Sequence, residues 1–75
     1  MTVEQQLIDI IASEYSKSEE DIRGASNWTE MGLDSLDTVE LIMKIEDTFK
    51  ITIEDEEAQE LKSLADMVAL VTSKV

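Results

Sequence analysis

Apolar positions in the first fifteen residues recur at three- and four-residue spacing: Val3, Leu7, Ile10, Ile11 and Tyr15. That is the period of one helix face. Glu4, Asp9 and Glu14 fall off the stripe, and Thr2 with Gln5 three residues later fits a capping box. A first helix is therefore predicted over Val3–Tyr15. A second is predicted from Ser35 to about Phe49, with Ser35 as its N-cap, because a serine hydroxyl can accept from the unpaired amides of a first turn. At about 100° per residue, Leu41, Ile42, Ile45 and Phe49 share one arc, the expected core face. Leu36, Val39 and Met43 fall on the opposite side, interleaved with Glu40, Glu46 and Asp47 and bordered by Asp37. A small domain can bury only one of these faces. The other is predicted to be an exposed apolar strip rimmed by carboxylates, which marks a protein-binding surface.

Residues 50–54 read as an extended connector, because Ile51 and Ile53 have no partner strand. Asp55–Leu61 is predicted to be a short helix, with Asp55, Glu56 and Glu57 at the end where the dipole favours negative charge. Ala58 and Leu61 would face the core. Ser63 with Asp66 resembles a capping box for a last helix to about Ser73, its inner stripe Leu64, Met67, Val68 and Val71. The connection over residues 16–34 is about nineteen residues, too long to be structureless in a compact domain. Ile22, Trp28, Met31 and Leu33 are expected to pin it, with a turn of helix near Ser18–Ile22. The fold class is thus all-α: one domain over residues 1–75, a small bundle of three main helices plus one short helix, with a long loop between helices 1 and 2.

Charge narrows the partners. Eighteen acids against six bases give −12, which argues against nucleic acid and favours a basic protein partner. Residues 30–60 hold eleven of the acids and two lysines, a net −9. The chain has no histidine and no cysteine, so neither a Ser–His–Asp triad nor a thiolate nucleophile can be built. An enzyme is not expected. Without thiolates or an EF-hand spacing, no metal site is expected either. No segment approaches the roughly 18 apolar residues of a membrane span, and no basic region leads into an apolar run as in a secretory signal. A cytoplasmic monomer is the expectation.

One stretch gathers these features. Gly32-Leu33-Asp34-Ser35-Leu36, leading into Asp37-Thr38-Val39-Glu40-Leu41, resembles the attachment motif of acyl carrier proteins. Ile53-Glu54-Asp55-Glu56-Glu57-Ala58 resembles their acidic third helix. The resemblance implies a 4′-phosphopantetheine arm esterified to Ser35, donated from coenzyme A by a magnesium-using phosphopantetheinyl transferase, and acyl groups carried on the arm as thioesters. It also implies that Asp34, Leu36, Asp37, Val39, Glu40, Met43 and Glu46 recognise basic patches on the transferase and on enzymes of fatty acid or polyketide synthesis. The acyl chain would lie among Leu41, Ile42, Ile45, Phe49, Ile53, Ala58, Leu61 and Met67. Read from the residues alone, Ser35 could be only a cap, and the chain a non-covalent acidic adaptor that docks a basic partner.

Holding a −9 region together costs self-repulsion, which salt screens. Adding salt or millimolar magnesium should raise the melting temperature; a melting temperature that stays flat or falls would contradict this.

Overall fold

Each main helix begins where a short polar side chain can take an unpaired amide of the first turn. The computed structural model describes residues 2–75 and holds five helices among them: α1 Val3–Tyr15, α2 Glu19–Gly24, α3 Ser35–Phe49, α4 Asp55–Glu60 and α5 Leu64–Lys74. Thr2 Oγ1 accepts from the Gln5 amide at 3.1 Å, and Ser63 Oγ from the Asp66 amide at 3.3 Å. Both caps fall where the sequence pattern puts them. The short α2 is capped alike, Ser18 Oγ accepting from the Asp21 amide, and runs two residues further than expected, to Gly24. The helix ends are less ordinary. Ser16 and Lys50 close α1 and α3 in the left-handed region at φ 55° and 57°, a position usually left to glycine.

The core draws on every part of the chain. Leu7, Ile8 and Ile11 of α1, Leu41, Ile42 and Ile45 of α3, and Leu64, Met67 and Val71 of α5 are buried, joined by Ile22 from α2. Ile8 corrects the predicted stripe: Val3, Ile10 and Tyr15 are only partly covered. α1 packs against α2, α3 and α5, so its buried arc is wider than one stripe. Val68 and Phe49 are half-buried at the core margin.

The connection between α1 and α3 is fastened as its apolar residues suggest. Trp28, Met31 and Leu33 are buried. The Trp28 indole Nε1 donates to the Leu61 carbonyl at 2.9 Å, and its backbone amide donates to the Lys62 carbonyl. Gly32 turns the chain at φ 84°; an added Cβ would make only ordinary contact with Lys17 Nζ. The backbone conformation, not space, therefore calls for glycine there.

α4 stops at Glu60, one residue short of the expected end, leaving Leu61 extended and buried. Residues 51–54 form no strand. The Glu54 amide and Lys74 hold the Glu57 carboxyl below the usual carboxylate range, so one acid of α4 is tied to the end of α5.

Candidate functional site

Asp34, not Ser35, caps α3. Asp34 Oδ1 accepts from the Asp37 amide at 2.9 Å, while Asp37 Oδ2 accepts from the Asp34 amide at 3.2 Å. This reciprocal box places two carboxylates at the positive end of the helix dipole. Aspartate and serine are equally good caps; the spacing Asp34 to Asp37 was the signal that could have separated them. Ser35 is the first helical residue, and it is exposed. Its hydroxyl is spared from capping.

Tyr15 fixes this end of α3 from below. Its hydroxyl donates to the Asp37 carbonyl at 2.8 Å. Burial, then the nearby carboxylates led by Asp37 and Glu40, push the phenol up from its ordinary pKa, so it stays a neutral donor. Nothing in the sequence pattern announced this contact, since the partner is a backbone carbonyl.

The predicted strip is exposed. Leu36 is 68% accessible, Val39 53% and Met43 62%. Glu40 is exposed beside it and Asp37 half-covered. Lys44 is turned to Glu14 of α1 at 3.3 Å, which leaves the strip's own face without that positive charge. Glu46 departs from the expected rim. It is half-buried, and its Oε2 accepts from the Ile53 amide at 2.8 Å, so it serves the connector after α3.

An open groove of about 970 Å³ runs beside Ser35. α3 contributes Ser35, Thr38, Val39 and Ile42; the α4 side contributes Ala58, Gln59, Leu61 and Lys62; the loop contributes Trp28 and Leu33 among others. Of the eight residues expected around an acyl chain, only Ile42, Ala58 and Leu61 border this groove. Leu41, Ile45 and Met67 are sealed in the core, Ile53 is buried, and Phe49 is half-buried away from the groove. Trp28 and Leu33 were read as loop anchors and are also groove wall. Among the described residues no cluster of acids could hold a metal ion, and no helix is long and apolar enough to cross a membrane.

The site thus combines an exposed serine at the mouth of an acidic–apolar helix with an apolar groove beside it. The family model for a phosphopantetheine attachment site matches residues 5–71. Over the whole of both chains, the sequence is 39% identical to an acyl carrier protein of Exiguobacterium sibiricum. It is 43% identical to one of Rickettsia bellii, over 88% of this chain and 78% of that one. The crystal structure of an acyl carrier protein from Thermotoga maritima superposes with a TM-score of 0.79 at 30% identity, covering 93% of this chain and 82% of the other. The chain belongs to the acyl carrier protein family: it is a carrier, not an enzyme, and holds acyl groups on covalently attached 4′-phosphopantetheine. None of these comparisons supports the non-covalent adaptor.

Replacing Asp34 by Ala should remove the cap and cost about 1 kcal/mol, read as a fall of about 4–8 °C in melting temperature for a domain of this size. Asp34→Asn should stay close to wild type. Equal losses in the two variants would show that the carboxylate charge, not the cap, holds the helix end.

Proposed function

We propose that Ser35 is the attachment point of the arm. The observation that carries this is the exposed Ser35 hydroxyl at the rim of the groove, released from capping because Asp34 takes the Asp37 amide. A nucleophilic hydroxyl that also closed the helix would have to give up that bond on modification; this one gives up nothing. In the attachment, Ser35 Oγ displaces adenosine 3′,5′-bisphosphate from coenzyme A, and its proton leaves to a base on the transferase. When bound, the arm supplies the terminal thiol that the chain itself lacks.

Leu36, Val39 and Met43 form the docking surface, with Asp34, Asp37 and Glu40 as its negative rim. Apolar contact at the centre supplies affinity, while the carboxylates steer basic patches toward it and fix the orientation. The partners proposed are a phosphopantetheinyl transferase and acyl-processing enzymes of fatty acid or polyketide synthesis. Glu46 belongs to this surface less directly, since its carboxylate is engaged with the Ile53 amide. The acyl chain is sheltered in the groove by Ile42, Ala58 and Leu61 together with Trp28 and Leu33. A carrier that visits several enzymes in turn has to offer α3 uncovered, so it works as a monomer. The same proposal puts it in the cytoplasm, where coenzyme A is at hand.

The chain has no cysteine, so thiol titration reads the arm directly. Incubation with coenzyme A, magnesium and a transferase should take the protein from no thiol to one per chain, with the matching gain in intact mass. Ser35→Ala should show neither change while melting within a few degrees of wild type, because Asp34 and not Ser35 makes the cap. A thiol gained by Ser35→Ala would overturn the assignment.

A further inference from the structure

Four of the chain's six basic side chains lie within ion-pair distance of an acid. Arg23 sits beside Glu4 and Glu19, Lys44 beside Glu14, Lys50 beside Asp47 and Lys74 beside Glu57. Among the described residues, Lys17 and Lys62 pair with no acid. Lys17 borders a hollow that Glu20, Asp21 and Glu30 also line, so its charge faces carboxylates. Lys62 lacks that company. It is exposed and borders the groove beside Ser35, where the one acid in the wall is Asp34. Asp34 already serves the helix cap, its Oδ1 accepting from the Asp37 amide. The backbone of Lys62 is fixed: its amide donates to Asp66 Oδ2 at 3.0 Å, and its carbonyl accepts from the Trp28 amide at 3.1 Å. A long cationic side chain thus stems from a held point on the α4 side of the groove. Elsewhere a chain of net −12 repels a carboxylate brought to it. At this groove the unpaired charge is positive. An alkyl acyl group draws nothing from such a charge, since Ile42, Ala58 and Leu61 supply the apolar wall it needs.

We propose that Lys62 is a specificity-determining residue that holds the free end of an acyl group ending in a carboxylate. The class of cargo is the half-thioester of a dicarboxylic acid. Its methylenes lie on the apolar wall, and its terminal carboxylate meets the Lys62 ammonium. The inference rests on Ser35 as the attachment point and on the groove as the shelter of the cargo.

The test loads the arm-bearing protein with hexanoyl or adipoyl groups, equal in carbon count and ending in a methyl or a carboxylate. Intact mass confirms each load before melting at neutral pH and low salt. In wild type the two forms should melt close together. In Lys62→Gln the adipoyl form should drop by about 2–4 °C relative to the hexanoyl form, the size of one exposed ion pair in a domain of this length. Comparing two loads in two proteins separates the pairing from any change in the fold itself. Lys44→Gln removes the same charge outside the groove and should keep the wild-type pattern, and Lys62→Arg should restore it. Lability of the thioester to hydroxylamine reads the same contact without melting. Adipoyl should be released about twofold faster from Lys62→Gln than from wild type, and hexanoyl at equal rates. The same difference between the two loads in wild type and Lys62→Gln would overturn the inference, as would an equal effect of Lys44→Gln. If Lys62→Gln instead alters only the melting shift caused by the bare arm, its partner is the arm's phosphodiester and the carboxylate assignment falls. Failure to place any acyl group on Ser35 would overturn the attachment assignment, and the mass would reveal it before any melting.

Discussion

α3 is apolar on two faces, and the rest of the molecule is arranged around the choice of which to bury. Leu41, Ile42 and Ile45 go inward against α1 and into the shared core, each side chain contributing about 1.5–3 kcal/mol of burial. Leu36, Val39 and Met43 stay in water and forgo a similar amount, in a domain whose whole stability is expected at about 5–15 kcal/mol. The helix holds its orientation because both ends are tied: Asp34 and Asp37 close its first turn, Tyr15 reaches the Asp37 carbonyl, and Glu46 takes the Ile53 amide. A rotation that buried the strip would break the Tyr15 and Glu46 contacts together. The exposed face is therefore a fixed feature of the fold and available to a partner.

That constraint explains how one short chain can bear a reactive arm without being an enzyme. The capping duty lies one residue before Ser35, so the modification proposed at Ser35 would leave the helix end intact. The groove lies on the same side, so a cargo on the arm has an apolar wall within the same domain. Negative charge gathers around the site, and Lys44 is drawn off to Glu14. The result is a negatively charged surface, which suits the basic partners proposed for it.

Much of this was legible in the residue pattern. The limits of α1 and α3, the two faces of α3, the anchoring role of Trp28 and the extended connector all follow from periodicity and turn chemistry acting locally. What was not legible depends on partners distant in the chain or on a choice between equals. Asp34 and Ser35 are both competent caps, and the tertiary frame together with Asp37 decides for Asp34. Ile8 is buried because α1 is covered by α2, α3 and α5 together, and α2 itself is too short to leave a strong period. Glu46 sits on the outward arc by angle, yet the returning connector presents an unpaired amide that draws its carboxylate in. The residues that border the groove were only partly legible for a related reason. Periodicity separates inside from outside, but it cannot tell a sealed core position such as Ile45 from one at the edge of a groove such as Leu61.

The central claim is that Ser35 can bear the arm without disturbing the helix that presents it. Backbone amide shifts and hydrogen exchange, compared for the protein with and without the arm, test this directly. The account predicts shift changes confined to the loop from Trp28, the first turns of α3 and the Ala58–Lys62 side of the groove, with the Asp37 and Thr38 amides equally protected in both forms. Loss of protection at Asp37, or changes spreading to Leu7, Ile11 and Val71 in the core, would contradict it.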